Sequence, residues 1–169
     1  MNITLIGMAG VGKSFIGKKV AKKLNYDFID VDELIEKNTN LKLQQIIDKF
    51  GERYFLKIET KTIMDLADIT NSVISPGGSI VYSKSAMKFL KEKSFVVYLE
   101  DSFENINKRV KNHERRGIVG LKNKGFEVLF NERKRVYEEY ADVTIKMRNY
   151  SNPESIVNIV VRECLVRGD

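Results

Sequence analysis

The chain has 169 residues, 43% of them hydrophobic, and its 29 Lys and Arg against 23 Asp and Glu leave a net charge of +6. This length accommodates one domain with its own core and is too short for two of ordinary size, so we expect a single domain over residues 1–169. No apolar run approaches the roughly 18–20 residues that cross a bilayer and no signal-like segment precedes Ile3, which favours a cytoplasmic protein with no membrane partner.

The positive charge and the single cysteine narrow the function classes further. A concentration of basic residues between Arg109 and Lys124 falls in a stretch with three glycines, which we interpret as a mobile basic loop. A positive balance fits an anionic ligand such as a nucleotide and equally permits nucleic acid. Cys164 lies alone in an apolar helical pattern, so we expect a buried structural thiol rather than a disulfide or redox chemistry.

Short apolar runs alternate with longer helical patterns along the chain. The runs predict strands at Ile3–Ile6, Phe28–Val31, Ser72–Ser75, Phe95–Leu99 and Val143–Ile145. The other patterns predict helices at Lys13–Leu24, Glu33–Lys37, Leu43–Phe50, Glu52–Ala67, Lys84–Lys93, Phe103–Lys111, Phe126–Tyr140 and Pro153–Val166, with about residues 112–125 irregular. This alternation predicts the α/β class, with a parallel sheet covered by helices on both faces.

The first predicted strand runs into a glycine-rich turn, Gly7-Met8-Ala9-Gly10-Val11-Gly12-Lys13-Ser14, and a helix follows. Glycines in this pattern let successive backbone N–H groups face phosphate oxygens. Lys13 adds a charge for the β- and γ-phosphates, and Ser14 offers a hydroxyl to Mg²⁺. An ordinary strand-to-helix turn is the alternative, but the spacing and its place between strand and helix favour a phosphate-binding loop.

Two carboxylates follow the next predicted strand. Asp30 and Asp32, spaced by one residue, come at its carboxyl end, where ligands bind in open α/β sheets. We predict that Asp30 holds Mg²⁺ through water and that Asp32 accepts a proton from an attacking hydroxyl. The alternative is a solvated strand end in which Asp32 caps the next helix.

Two other classes of phosphate-binding protein fit the sequence less well. A GTPase needs a guanine-reading Asn-Lys-x-Asp, which is absent from this sequence. A nucleic-acid-binding protein would carry exposed aromatics among its basic residues, whereas Tyr54, Phe55, Phe126 and Phe130 fit the buried faces of helices. We therefore expect no nucleic-acid partner.

The chain resembles the shikimate kinase family nearly from end to end. The matching pieces are GMAGVGKS with Ile16-Gly17-Lys18, FIDVDELIE, Gly51-Glu52-x-x-Phe55 with Glu59, Pro76-Gly77-Gly78, Arg109 and Arg116, Arg133-x-x-x-Tyr137 with Ala141-Asp142, and Asn152-Pro153. The resemblance implies a three-layer P-loop kinase fold with a five-stranded parallel sheet. It also implies a substrate-binding helical segment across about residues 32–60 and a lid across about residues 110–125.

For the nucleotide, the resemblance implies two groups of residues. ATP phosphates and Mg²⁺ would be held by Gly10, Val11, Gly12, Lys13, Ser14 and Phe15, with Asp30 assisting the metal. Adenine would lie between Arg109 and Pro153. Arg116 would swing in with the lid to neutralise the transferring phosphoryl group, although its neighbour Arg115 could take that place.

For the acceptor, the resemblance implies that Asp32 grips its hydroxyls and acts as base. Gly77 and Gly78 would present backbone N–H groups to it, and Arg133 would bind its carboxylate. The catalytic set is then Lys13, Asp32 and Arg116. The implied enzyme is a monomeric phosphotransferase with an alcohol acceptor, which converts ATP and shikimate to shikimate 3-phosphate in aromatic amino-acid biosynthesis.

The acceptor half departs from the family pattern. Leu56 stands where the family usually carries an arginine that clamps the substrate carboxylate together with the equivalent of Arg133. Leucine cannot donate the charge-assisted bonds, worth about 1.5–3 kcal/mol each, that a carboxylate accepts. Arg53, one helical turn earlier, is a candidate to reach the same place. Pro76 replaces the first of three glycines, and the lid reads Arg116-Gly-Ile-Val-Gly-Leu121 instead of Arg-Pro-Leu-Leu.

These departures leave two alternatives to shikimate phosphorylation. The first is a kinase of the same family that acts on a different small hydroxylated metabolite, because Leu56 replaces the carboxylate-binding arginine. The second, from another class, is a non-catalytic ATP-binding regulatory protein. The presence of Asp30, Asp32 and Arg133 argues against the second, since such a protein need not keep them.

Overall fold

The core of the protein is a five-stranded parallel sheet, seen in a computed structural model that describes residues 1–110 and 117–166. The strands are β1 (Asn2–Ile6), β2 (Asp27–Asp30), β3 (Ser72–Ser75), β4 (Ser94–Glu100) and β5 (Val143–Lys146), in the spatial order β2-β3-β1-β4-β5. Ile3 of β1 aligns with Val73 on one side and with Phe95 on the other. The three central strands are almost wholly buried, which explains why their sequences are continuous apolar runs.

Helices cover both faces of the sheet. They are α1 (Lys13–Leu24), α2 (Val31–Thr39), α3 (Leu43–Phe50), α4 (Glu52–Met64), α5 (Lys84–Lys93), α6 (Phe103–Arg109), α7 (Leu121–Lys124), α8 (Phe126–Tyr140) and α9 (Pro153–Val166). The chain moves from β1 to one edge of the sheet through α1 and from β3 in the opposite direction through α5. Right-handed crossovers therefore place α1 and α5 on opposite faces. The predicted fold class is confirmed.

Local capping explains where the second strand ends and the second helix begins. Strand β2 ends at Asp30 and α2 begins at Val31, because the Asp30 side chain accepts hydrogen bonds from the backbone N–H groups of Asp32 (3.1 Å) and Glu33 (3.3 Å). The alternative in which Asp32 caps this helix is wrong for the same reason. Helix α4 ends at Met64, three residues before the predicted end.

Part of the stretch predicted as irregular is helical. Residues 112–116 of that stretch lie outside the described part of the chain, but α7 forms between Gly120 and Gly125, whose φ angles are 81° and 75°. The backbone N–H of Gly117 donates to Gln44 Oε1 (3.0 Å) and that of Gly120 donates to Glu52 Oε1 (2.6 Å). Residues 117–120 are therefore bonded to α3 and α4.

The buried aromatic residues mostly match the prediction. Phe55, Phe126 and Phe130 lie in the core, but Tyr54 is 45% exposed and packs beside Phe50 at a ring-centroid distance of 4.9 Å, so its predicted burial is wrong.

Cys164 is buried, and burial raises the pKa of its thiol to about 12, which agrees with a structural role. No helix within residues 1–110 and 117–166 could span a membrane.

Candidate active site

The glycine-rich loop between β1 and α1 has the backbone geometry that an anion site needs. Gly7, Gly10 and Gly12 have φ angles of 145°, 82° and 106°, which side chains rarely tolerate. At Gly10 a Cβ atom would also lie 2.2 Å from Val110 Cγ2. Gly12 is the N-cap of α1 and contributes no side-chain hydrogen bond, so the N-terminal end of this helix is not capped by a side chain.

Lys13 lies in the first turn of α1 and folds back over the loop. Its Nζ donates to the carbonyl oxygens of Gly7 (2.8 Å) and Met8 (3.1 Å). Burial lowers the pKa of Lys13 to about 8, while the nearby Asp32 and Asp30 carboxylates oppose this shift. The ammonium group is thus held at the loop by neutral carbonyls, which an anionic phosphate could replace.

Ser14 and Asp30 form a hydrogen-bonded pair beside the loop. Ser14 Oγ donates to Asp30 Oδ2 at 2.6 Å, while Oδ1 of the same carboxylate caps α2. A hydroxyl and a carboxylate are oxygen ligands of the kind that Mg²⁺ prefers, and that ion usually completes its shell with water and phosphate oxygens. Within the described residues, no cluster of three or more His, Cys, Asp or Glu forms a metal site by itself.

Two buried carboxyl groups converge on the turn after β3. Asp32 Oδ1 and Glu59 Oε1 lie 2.8 and 2.5 Å from the point where a Cβ on Gly77 would stand, so only glycine fits there. Neither oxygen has a hydrogen-bond partner within the described parts of the chain, and Ser79 Oγ donates to the other oxygen of Glu59 at 2.7 Å. Burial raises the pKa of Asp32 to about 6 and that of Glu59 to about 8.

Arg133 lies on the other side of the same turn. Its guanidinium donates from Nη2 to the Val119 carbonyl (2.7 Å) and from Nε to the Tyr82 hydroxyl (3.3 Å), and the side chain is only 1% exposed. Tyr137 in the next turn of α8 donates to the Gly78 carbonyl at 2.7 Å. The glycine pair is thus held between two acids and an arginine.

Three cavities lie in a row along this edge of the sheet. The middle one, of about 570 Å³, contains Lys13, Ser14, Asp30 and Asp32 in its wall. A second, of about 410 Å³, has Arg109 and Pro153 in its wall and shares Arg109 with the middle cavity.

The third cavity, of about 40 Å³, is bounded by Gly77, Gly78, Val119 and Arg133 and shares Asp32 with the middle cavity. Asp32 therefore stands where the phosphate-binding loop meets the pocket that contains Arg133.

The other residues that the sequence singled out differ in whether they line these cavities. Arg53 is exposed on α4 and lines none of the three cavities described here. Arg116 and Arg115 lie outside the described residues. Leu56 packs against the hydrophobic core, and Pro76 lines the middle cavity. Phe15 lines both large cavities and is 55% exposed.

Glu59, Tyr82 and Tyr137 also contact the site, although the sequence pattern predicted no role for them. The burial of Glu59 was predictable from the sequence, because Glu59 follows Phe55 by four residues and so shares the buried face of α4. A charged residue is almost never fully buried unless it is paired, so a glutamate at such a core position predicts a specific partner. Tyr82 carried no signal, since its contact with Arg133 depends on how α8 packs against the segment after β3.

Comparison with known proteins agrees with this arrangement. The sequence profile of the shikimate kinase family matches residues 9–165. A shikimate kinase of Aquifex aeolicus is 35% identical over 161 residues, which cover 95% of this chain and 94% of that protein. One of Thermodesulfovibrio yellowstonii is 37% identical over 164 residues, with 96% and 94% covered.

A solved structure gives the same result. The shikimate kinase from Acinetobacter baumannii in complex with shikimate superposes with a TM-score of 0.89 at 28% identity, over 98% of this chain and 93% of that one. The likeness extends over the sheet, the phosphate-binding loop and the helices around Asp32. This chain belongs to the shikimate kinase family.

Proposed function

We propose that this protein transfers the γ-phosphate of ATP to a hydroxyl of shikimate and so forms shikimate 3-phosphate and ADP. The observation that carries the proposal is the position of Asp32, which lines both the cavity of the phosphate-binding loop and the cavity that contains Arg133. A hydroxyl bound at Asp32 would stand between a phosphate donor and a cation suited to a carboxylate. Phosphoryl transfer requires this kind of positioning and charge compensation.

Three residues have separate roles in the proposed reaction. Lys13 exchanges its bonds to the Gly7 and Met8 carbonyls for the β- and γ-phosphates. Asp32 takes the proton as the acceptor oxygen bonds to the γ-phosphorus and the bond to the bridging oxygen of ADP breaks. Arg133 exchanges its bond to the Val119 carbonyl for the substrate carboxylate.

Other residues of the site would bind the rest of the two substrates and the metal ion. Gly77 and Gly78 would bind the acceptor through their backbone, and Arg109 with Pro153 would hold adenine. Ser14 and Asp30 would hold Mg²⁺, which supplies charge compensation for the phosphates. Arg116 would close over the transferring group with its lid.

A direct assay tests the proposal. Purified protein is incubated with ATP, Mg²⁺ and shikimate, and shikimate 3-phosphate is measured by mass spectrometry alongside ADP release. We expect ADP and phosphorylated shikimate to form in equal amounts, and Asp32→Asn to reduce the rate by about 10²-fold or more, as loss of a positioned base does. ADP release that does not depend on shikimate would contradict the proposal.

One observation favours a different acceptor in the same class. The described residues of α4 bring no arginine to the small cavity, because Leu56 packs on the core and Arg53 is exposed. A hydroxylated metabolite without a carboxylate would lose less by this change. Thermal-shift measurements on a set of hydroxy acids and polyols, with ADP and Mg²⁺ present, would distinguish the two acceptors.

The non-catalytic alternative has less support. The site has two acids and an arginine around the turn after β3, with Lys13 at the phosphate-binding loop, an arrangement that nucleotide binding alone does not require. Monomeric state, cytoplasmic location and the absence of a nucleic-acid partner stay predictions.

A further inference from the structure

A buried carboxylate outside the groups discussed so far is ion-paired with Arg109. Asp101 follows β4 directly and is 2% exposed. Its Oδ2 lies 2.7 Å from Arg109 Nη1, an ion pair whose angle is too bent for a hydrogen bond, and its Oδ1 accepts from the Ser102 backbone N–H (2.8 Å) and from Asn105 Nδ2 (2.9 Å). A carboxylate withdrawn from water requires such partners, because an unpaired buried charge is strongly unfavourable.

The Arg109 side chain is partly fixed by Asp101 and partly open to the cavities. One terminal nitrogen is held by the buried acid, while half of the side chain stays exposed and lines both large cavities. The next residue, Val110, packs against Gly10 of the phosphate-binding loop. The end of α6 is therefore tied to the loop by Val110 and to the end of β4 by Asp101.

We infer that Asp101 is a positioning residue for the nucleobase of ATP, acting through Arg109; this rests on the proposed function. A guanidinium is planar and stacks on aromatic rings, but a free arginine side chain samples many rotamers. The ion pair removes that freedom before the nucleotide arrives. It also compensates the arginine charge, so Arg109 serves the base rather than the phosphates.

The test compares the binding of two ligands by calorimetry, in the unaltered protein and in Asp101→Asn. ADP contains the base, and inorganic tripolyphosphate contains only the phosphate part. Asp101→Asn keeps an oxygen for Ser102 and Asn105 but presents no charge to Arg109. We expect it to weaken ADP binding by about tenfold, as loss of a charge-assisted contact does, and to leave tripolyphosphate binding unchanged.

A double-mutant cycle separates positioning from a purely structural role. If Asp101 acts through Arg109, Asp101→Asn has no further effect on ADP binding in an Arg109→Ala background. Asp101→Glu, which restores the charge, should recover most of the affinity. The matched control is Asp65→Asn, which removes an exposed carboxylate that is paired with Lys61 and lines none of the three cavities.

The outcomes are distinguishable. Additive losses in the double variant, or equal losses for ADP and tripolyphosphate, would overturn the role of Asp101. Unchanged ADP affinity in Asp101→Asn would overturn it as well. Failure of the unaltered protein to bind ADP would instead overturn the proposed function on which the inference rests.

Discussion

Glu59 and Asp32 place two carboxyl groups in a pocket where charge is poorly solvated. Burial raises the pKa of both, and the nearby Asp32 charge raises that of Glu59 further. Lys13 and Arg133 oppose the shift at Glu59 without reaching it by a hydrogen bond within the described residues. Ionising Glu59 in the folded protein therefore costs free energy, so the stability of the fold depends on pH.

Replacing Glu59 by Gln should stabilise the protein at neutral and alkaline pH. Below pH 4.5, the ordinary pKa of this group, Glu59 is protonated in both the folded and the unfolded chain. Between pH 4.5 and about 8 the unfolded chain ionises first, so the unaltered protein loses about 1.4 kcal/mol per pH unit relative to the variant. The difference reaches about 5 kcal/mol at pH 8, so we expect Glu59→Gln to melt about 10–20 °C higher at pH 8 and equally at pH 4.

Thermal denaturation monitored by circular dichroism across this pH range measures the effect. Glu92→Gln is the control, since Glu92 is exposed on α5 and its loss should not change the pH dependence. A variant that melts lower than the unaltered protein at pH 8 would show that Glu59 is ionised in the fold.

Leu56 offers a gain-of-function prediction. It precedes Glu59 by three residues on α4, so an arginine there shares that helical face and could pair with the buried acid. We expect Leu56→Arg to lower the KM for shikimate about tenfold through restored charge-assisted bonds to the substrate carboxylate. Leu56→Lys should gain less, because an ammonium lacks the planar fork.

Steady-state kinetics with shikimate varied at saturating ATP measure this change. An unchanged KM in Leu56→Arg would indicate that another group already binds the carboxylate, or that the natural acceptor has none. The second case would support the alternative acceptor.

At the scale of elements, the turn after β3 fixes the distance between α2, α4 and α8. Gly77 faces the oxygens of Asp32 and Glu59, and Gly78 faces Arg133 Nη1 at 3.1 Å and the Tyr137 hydroxyl at 3.2 Å. Neither glycine has a positive φ, so backbone strain does not enter. Any effect of a methyl group here comes from crowding.

The adjacent glycines therefore make a matched pair of substitutions. Gly77→Ala brings its Cβ within 2.8 Å of two buried carboxyl oxygens, which must move, and displacement of a catalytic group by about 1 Å can cost about 10²-fold in rate. We expect that loss in kcat for Gly77→Ala and less than about tenfold for Gly78→Ala, whose neighbours lie farther away. Equal losses in the two variants would argue against crowding of Asp32.

Elements with strong periodicity were predictable from the sequence, and those set by single contacts were not. Helices α1, α3, α5, α8 and α9 have the predicted bounds, and each has an apolar face that its sequence pattern shows. The start of α2 depends on one hydrogen-bonding side chain, Asp30. Helix α7 spans four residues between two glycines, too short for any periodic signal.

The same distinction holds for the residues of the candidate site. The phosphate-binding loop was predictable because its chemistry lies in eight consecutive residues. The contact of Asp101 with Arg109 and that of Tyr82 with Arg133 join separate elements, so only the packed structure shows them. The exposure of Arg53 likewise follows from the orientation of α4, which the sequence left open.

At the scale of the whole molecule, the row of three cavities predicts that ligands stabilise the fold. A ligand at one hundred times its Kd adds about 2.7 kcal/mol, which is about 5–11 °C in Tm for a chain of this size. We expect ADP with Mg²⁺ to raise the Tm by this amount and shikimate to raise it further.

A substitution of Lys13 in the phosphate-binding loop separates nucleotide binding from the stability of the fold. Lys13→Ala removes the charge that faces the phosphates but also a buried ammonium that burial disfavours, so the variant should fold with unchanged or higher Tm while losing most of the ADP-dependent rise. Differential scanning fluorimetry of both proteins, with and without ligand, measures the two effects together. A full ADP-dependent rise in Lys13→Ala would mean that the nucleotide binds elsewhere. The row of cavities would then not be the path along which phosphate passes from ATP to the acceptor.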